Sequence, residues 1–225
     1  MTMGPAGNRS ECGRLIDRLA YAEAHLAPFA FWTFADLLPP SLARAAHRQC
    51  LPPCATVAQL AAAHDGTRAG GMARRRFIDP TLRGRVREMD RLAGLFQHPA
   101  TVAAIEALTG AALSGCLLRC ELCCDGPGFW LAPHTDIGDK ALTLLVYLSE
   151  GEEAADWGTD LFDGPERWFA RPPAPFGSAL MFVPSPVSWH GYSLRRMNDW
   201  RRTLIVNYVR PGWRNRDELA YGIAV

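Results

Sequence analysis

The first half of the chain has the apolar spacing of helices. Four apolar residues fall on one face of a helix that Ser10 is placed to cap: Leu15, Leu19, Ala22 and Leu26. Three further helices are predicted to begin at Ser41, Thr56 and Asp79. The one that begins at Asp79 is predicted to continue to Leu95, and residues 99–108 form another helix that Gly110 ends.

Three segments between these helices have other patterns. The aromatic stretch 29–34 is predicted to be a strand that Pro39-Pro40 stops. The stretch 63–73 is rich in glycine and small residues and is predicted to be a mobile loop. The run Arg74-Arg75-Arg76 follows it, and two interpretations of that run stay open: a solvated patch or a clamp for an anionic substrate.

From Cys116 onward the chain has apolar runs of strand length, separated by Gly and Pro. These runs are 117–123, 129–132, 142–148, 160–162, 179–183 and 203–209. Short strands in this number are typical of a β-sandwich or barrel, so the predicted fold class is mainly β with N-terminal helices on one outer face. Residues 1–225 are predicted to form one domain, with a helical part over about 10–110 and a β core over about 115–212.

Composition narrows the class of protein without naming a function. The 225 residues carry 24 basic and 23 acidic side chains, and the net charge of +1 indicates neither a nucleic-acid nor an anionic-membrane partner. No apolar run is long enough to cross a bilayer, and residues 1–10 lack the pattern of a secretory signal. The seven cysteines are an odd number, which favours reduced thiols and a cytoplasmic location.

Three residues of the β half have the spacing of metal ligands. On an extended chain His134 and Asp136 point to the same side, and His190 follows at the edge of a later strand. Two imidazoles and one carboxylate, with the opposite face open, make the facial triad of non-haem Fe(II) oxygenases. His-x-Asp alone is common by chance, and its weight here comes from Tyr147 and Arg201, which follow in order.

This order of motifs resembles the 2-oxoglutarate-dependent oxygenase superfamily, and more closely its prolyl-4-hydroxylase-like branch. The resemblance covers residues 117–209 well, and five segments carry it: Pro133-His134-Thr135-Asp136, Tyr147-Leu148, Gly158-Thr159, Trp189-His190-Gly191 and Arg201-Arg202-Thr203-Leu204. It implies a double-stranded β-helix, or jelly roll, of the cupin-like kind. It also implies that His134, Asp136 and His190 hold Fe(II) at the open end.

The resemblance further implies which residues bind the co-substrate. Arg201 matches the family's basic residue for the distal carboxylate of 2-oxoglutarate, and a forked guanidinium suits that task. Arg202 is the competing choice, because adjacent residues on a strand face opposite ways. Four further residues are predicted to line the same binding site: Tyr147, Thr143, Thr203 and Asn207. Asp136 argues against halogenation, because related halogenases lack this carboxylate.

The expected activity is an Fe(II)- and 2-oxoglutarate-dependent dioxygenase that uses O2, hydroxylates an unactivated C–H bond of a small molecule, and releases succinate and CO2. An amino acid, a sugar-type group or a natural-product scaffold would suit such a site. Two alternatives stay open: a peptide or protein hydroxylase with the same chemistry, and a non-redox cupin-like metal isomerase or binding module. A homodimer is compatible with the sequence, which does not determine the oligomeric state.

Overall fold

A computed structural model describes residues 10–50, 68–69 and 74–225. Its helices are α1 (Glu11–Leu19), α2 (Pro40–Gln49), α3 (Pro80–Arg85), α4 (Arg87–Gln97) and α5 (Pro99–Thr109). Ser10 caps α1 as predicted, because its hydroxyl accepts a hydrogen bond from the Gly13 backbone N–H at 3.1 Å. Gly110 ends α5 in the left-handed conformation, with φ of 72°.

Two antiparallel sheets make up the rest of the described chain. The order in the larger is β1 (Glu23–His25), β2 (Phe31–Phe34), β10 (Ala179–Phe182), β7 (Lys140–Tyr147), β12 (Arg201–Val209), β5 (Leu117–Asp125) and β13 (Leu219–Ala224), with β4 (Arg74–Phe77) also paired to β5. The order in the smaller is β3 (Arg68–Ala69), β6 (Trp130–His134), β11 (His190–Tyr192), β8 (Asp160–Phe162) and β9 (Trp168–Ala170). This confirms the predicted fold class, a mainly β jelly roll with N-terminal helices.

The two faces of the large sheet pack against different layers. Alternate side chains such as Leu118, Leu144 and Leu204 point to the outer face and join a buried core with Leu42 and Leu92 of the helices. The side chains between them point inward. There Leu145, Tyr147 and Phe182 pack with Leu161 of the small sheet. The inward polar residues of β5, β7 and β12 therefore lie between the two sheets, where the functional site is found.

Two local predictions were wrong, each because tertiary contacts override a local pattern. The first helix ends at Leu19, since residues 23–25 pair with β2 instead and Leu26 lies on the surface. The helix predicted from Asp79 to Leu95 is two helices, because Val86 adopts an extended conformation between them. The arginine run, for which no secondary structure was predicted, forms β4, which pairs with β5.

Two other predictions concern segments without a described structure. The helix predicted at Thr56 and most of the loop predicted over 63–73 lie outside the described residues. Within the described part of the chain, none of the helices has the length and the apolar character that a membrane span requires. The cytoplasmic location stays a prediction.

Candidate metal centre

The structure brings the three predicted metal ligands together from distant parts of the sequence. His134 is the last residue of β6, His190 is the first residue of β11, and the two are direct partners in the antiparallel register. Asp136 lies two residues beyond His134, in the turn that leads to β7. One ligand atom from each side chain lies within 4.8 Å of the others, and the described residues contain no other such group.

Both histidine rings are oriented by a hydrogen bond to the backbone carbonyl group two residues earlier in the chain. The Nδ1 atom of His134 lies 2.9 Å from the carbonyl oxygen of Ala132, and Nδ1 of His190 lies 2.9 Å from that of Ser188. A carbonyl only accepts hydrogen bonds, so each Nδ1 carries the proton and each Nε2 keeps its lone pair for a metal. Burial lowers the pKa of His190 to about 4, with a further lowering by His134. The His190 imidazole is therefore neutral at pH 7, as a ligand must be.

Asp136 is held as a charged carboxylate by two neighbours on β7. Thr143 donates a hydrogen bond to Oδ2 at 2.6 Å, and the Lys140 ammonium donates one to Oδ1 at 2.6 Å. Burial alone raises the pKa of Asp136, but Lys140, His190 and Thr143 outweigh it and hold the pKa below its ordinary value. Two imidazoles and an anionic carboxylate on one side of a cleft match the donor set of a non-haem Fe(II) site.

A second cluster lies deeper in the same cleft, around Arg201 at the start of β12. The Arg201 side chain is 8% exposed. Its Nε donates to the Trp157 carbonyl at 2.8 Å, and Nη1 donates to Asp125 at 2.9 Å. Its guanidinium also lies 4.7 Å from the centre of the Tyr192 ring. A permanently charged group is thus fixed in a buried position on the wall of the pocket that His134, Asp136 and His190 also line.

Three hydroxyl groups accompany Arg201. The Tyr147 hydroxyl donates to Thr159 Oγ1 at 3.0 Å and accepts from the Thr159 backbone N–H at 3.2 Å. Thr203, on the same face of β12 as Arg201, is the cross-strand partner of Tyr147. Its buried Oγ1 has no hydrogen-bond partner among the described residues. A buried hydroxyl of this kind is costly unless a ligand satisfies it, so the cluster fits a carboxylate-bearing molecule.

The other residues predicted to bind the oxoacid lie nearer the metal ligands. Thr143 contacts Asp136, and the Asn207 amide donates to Thr143 Oγ1 at 2.9 Å. Arg202 lies on the opposite face of β12 from Arg201, where it contacts Asp199 and the Trp200 carbonyl. Thr159 was not among the residues predicted to bind the oxoacid. The only sequence signal for it was the Gly158-Thr159 pair, one of the five segments that carry the resemblance.

The three predicted metal ligands line one pocket together with Arg201 and Thr159, and its volume is about 490 Å³. That is within the range of about 300–1,000 Å³ usual for small-molecule sites. Apolar side chains contribute to its walls, among them Phe129, Leu131, Leu145 and Ile205. A polar wall on the other side carries arginines and carboxylates from β4, β5 and the segment before β13.

Comparison with known proteins gives a result at the level of the fold. No protein-family model and no curated protein sequence matches the chain. A prolyl-4-hydroxylase from Pseudomonas putida has a similar structure, with a TM-score of 0.59 and 20% identity over 88% of this chain and 98% of that one. The fold is that of the prolyl-4-hydroxylase-like oxygenases.

Two other structures extend the similarity. An oxidoreductase of the 2OG-Fe(II) oxygenase family from Burkholderia pseudomallei has a TM-score of 0.55 and 16% identity, over 93% of this chain and 95% of that one. HygX from Streptomyces hygroscopicus, solved with nickel, 2-oxoglutarate and hygromycin B bound, has a TM-score of 0.52 and 14% identity. The match covers 82% of this chain and 85% of the HygX chain. The oxygenase fold of the chain thus extends well beyond the β core.

Proposed function

We propose that this protein is an Fe(II)- and 2-oxoglutarate-dependent dioxygenase that hydroxylates an unactivated C–H bond of a small molecule, with release of succinate and CO2. One observation carries the proposal: the ligand atoms of His134, Asp136 and His190 lie within 4.8 Å of one another in the pocket that also contains the buried Arg201. A metal site alone would suit many functions. A metal site beside a buried guanidinium suits a chelating, doubly charged oxoacid.

In this proposal the two imidazole Nε2 atoms and one Asp136 oxygen hold Fe(II). When bound, the iron and 2-oxoglutarate supply the oxidising chemistry, in which O2 is reduced and the oxoacid loses CO2. The protein keeps His190 neutral and Asp136 ionised, so these two donors are ready for a cation before it arrives. Thr143 and Lys140 fix the carboxylate and keep it from rotating away from the histidines.

Arg201 is proposed to hold the distal carboxylate of 2-oxoglutarate, with the hydroxyl groups of Thr203, Tyr147 and Thr159 beside it. Arg201 is positioned before binding by Asp125 and by the Trp157 carbonyl, so little side-chain entropy is lost when the oxoacid arrives. Thr143 and Asn207 are proposed to act on the same co-substrate indirectly, because they position the ligand Asp136 that shares its metal.

The remaining walls are proposed to orient the substrate and to exclude water. Leu145 and Ile205 are neighbours on the inner face of the large sheet and leave no polar group to compete for the reactive centre. A small molecule is the substrate class that the pocket volume favours, in line with HygX, the protein of similar fold that was solved with hygromycin B bound. Hydroxylation is favoured over halogenation because Asp136 occupies the ligand position.

The proposal is tested by anaerobic titration of Fe(II) and 2-oxoglutarate into the protein, with observation of the visible metal-to-oxoacid charge-transfer band. We expect the band in the unmodified protein and in a control variant, His98→Asn, which replaces an exposed histidine on the outer helices. The variant His190→Ala should stay folded and lack the band. In air, the protein with both ligands should then release succinate when a substrate is present.

Each other outcome has a definite meaning. A folded protein that binds Fe(II) and shows no band with 2-oxoglutarate overturns the proposal and leaves the non-redox metal isomerase or binding module. A band in His190→Ala as strong as in the unmodified protein overturns the ligand assignment. Succinate release that peptides stimulate and small molecules do not would favour the peptide hydroxylase instead.

A further inference from the structure

One wall of the pocket carries buried charges of both signs. The Arg119 guanidinium contacts Glu121 at 2.8 Å and Glu218 at 2.6 Å, while Arg75 contacts Glu121 at 3.5 Å and Asp125 at 3.2 Å. The side chains of Arg119, Glu121 and Glu218 are 10, 11 and 14% exposed. Surface ion pairs are common and mean little, whereas a buried mixed-charge wall in a ligand pocket needs an explanation.

Arg119 is fixed more firmly than its ion pairs alone require. Its guanidinium lies 4.8 Å from the centre of the Phe77 ring and 5.3 Å from that of the Trp213 ring. Nη1 also donates to the Asn207 side chain at 3.1 Å. Aromatic contacts and a neutral hydrogen bond hold the arginine in place even when a carboxylate partner changes.

This charged wall adjoins the metal centre. Three hydrogen bonds lead from the metal ligand to the arginine: Thr143 to Asp136, Asn207 to Thr143, and Arg119 to Asn207, at 2.6, 2.9 and 3.1 Å. The residues that make them lie next to each other on neighbouring strands β7, β12 and β5. A small molecule held at Arg119 would therefore present its other end to the metal side of the pocket.

We propose that the charged wall, which we define as Arg75, Arg119, Glu121 and Glu218, binds a small zwitterionic substrate that carries an ammonium and a carboxylate group, as a free amino acid does. The inference rests on the proposed oxygenase function and names its substrate class. The substrate carboxylate pairs with Arg119 and Arg75, and its ammonium group pairs with Glu121 and Glu218.

The charge balance of the pocket favours such a molecule. The described lining residues include four cations, Arg75, Arg119, Lys140 and Arg201, and four anions, Glu121, Asp125, Asp136 and Glu218. Fe(II) adds two positive charges and 2-oxoglutarate two negative ones, so the loaded pocket stays neutral. A substrate with no net charge preserves that balance.

Molecules of other charge types fit the wall less well. A zwitterion exchanges one ion pair for another and leaves no buried charge without a partner. An anion alone would face Glu121 and Glu218, and a cation alone would face the two arginines, so each meets repulsion. An internal residue of a peptide has neither a free ammonium group nor a free carboxylate group at its backbone, so its backbone would form no ion pairs with the wall.

The test uses the protein loaded anaerobically with Fe(II) and 2-oxoglutarate. The twenty free L-amino acids and glycine betaine are added one at a time, and binding is read from the change in the charge-transfer band. We expect at least one zwitterion to change the band and, in air, to stimulate succinate release. Its N-acetyl and carboxamide derivatives should each bind at least about tenfold more weakly, because each leaves charges of the wall unpaired.

Variants assign the two halves of the wall. Glu218→Gln keeps the size of the side chain. It should weaken binding of the zwitterion at least about tenfold and reduce the difference in affinity between the free amine and the N-acetyl derivative. Arg75→Gln should also weaken binding of the zwitterion, and it should reduce the difference in affinity between the free carboxylate and the carboxamide derivative. Glu153→Gln, an exposed change of the same kind, is the control and should bind as the unmodified protein does. Circular dichroism and the substrate-free band verify that each variant is folded and loaded.

The outcomes separate this inference from the proposed function. If no charge-transfer band forms at all, the oxygenase proposal fails. If the band forms and no zwitterion changes it, or if N-acetyl and carboxamide derivatives bind as well as the parent, the zwitterion proposal fails and the oxygenase proposal stands. Equal binding in Glu218→Gln and Glu153→Gln overturns the assignment of the ammonium group to this wall.

Discussion

His134 and His190 are direct cross-strand partners, and the centres of their rings lie 4.4 Å apart although 56 residues separate them in the chain. The pairing of β6 with β11 therefore sets the spacing of two metal ligands. Gly191, next to His190, lets the strands approach: a Cβ there would lie 2.7 Å from the Leu131 carbonyl oxygen. The position of the proposed ligand His190 is thus linked to strand pairing at this point.

This linkage leads to a prediction for Gly191→Ala. The new methyl group must push β11 away from β6, so we expect a loss of about 1–3 kcal/mol in the free energy of unfolding and weaker Fe(II) binding through the displaced His190. Gly138→Ala is the matched control, since a Cβ at Gly138 meets nothing within 4 Å. Urea unfolding and Fe(II) titration measure both effects. Equal metal affinity in the two variants would contradict the linkage.

Thr143→Val removes the hydroxyl that fixes Asp136 and keeps the shape of the side chain. We expect Fe(II) affinity to fall about 10–100-fold, because a ligand without its outer hydrogen bond must be reoriented on binding. The same change at Thr81, exposed on α3, serves as control. Competition with a coloured chelator measures the affinity. An unchanged affinity in Thr143→Val would show that Lys140 alone suffices to position Asp136.

Two adjacent arginines allow a matched test of the co-substrate site. Arg201→Gln should weaken 2-oxoglutarate binding about 30-fold or more, because a buried charged partner of the carboxylate is lost. Arg202→Gln should bind it normally, since Arg202 points to the other face of β12 and contacts Asp199. Anaerobic titration of 2-oxoglutarate at saturating Fe(II) gives both constants. The reverse order of effects would assign the role to Arg202.

A pH-dependent contribution to stability is predicted for Asp160, which is fully buried in β8. Burial alone raises its pKa, but the Ser193 backbone N–H, Arg195, Trp168 and Arg171 outweigh it and hold the pKa below its ordinary value. A lowered folded-state pKa stabilises the protein above the unfolded value of about 3.9, and this stability is lost as pH falls through the folded pKa.

Asp160→Asn should therefore lower the free energy of unfolding by about 3 kcal/mol at pH 7, where it leaves buried guanidinium groups without their anion. The difference from the unmodified protein should shrink as the pH falls below 4. Asp163→Asn removes an exposed carboxylate from a surface pair with Arg167 and should change little. Denaturant unfolding at several pH values measures the effect, and a pH-independent difference would contradict it.

The sequence by itself was enough to predict the fold class, which the structure confirms, and to predict the three candidate metal ligands, which the structure brings together. The apolar runs 142–148 and 203–209 have the length of sheet strands, and they lie in β7 and β12. The metal ligands are recognisable because His134 and Asp136 are close in the chain, and because the order of Tyr147, His190 and Arg201 resembles a known family. Local spacing and chain order can be read without any knowledge of packing.

Only the tertiary structure decided the contacts that join distant strands. The pairing of β4 with β5 placed Arg75, which the sequence left as either part of a solvated patch or part of an anion clamp, in the charged wall, and Glu218 reaches that wall from residues just before β13. The same packing placed Arg201 inside and Arg202 outside, which alternation alone left open. Such contacts depend on register and on which strand ends meet, and neither leaves a periodic signal in the sequence.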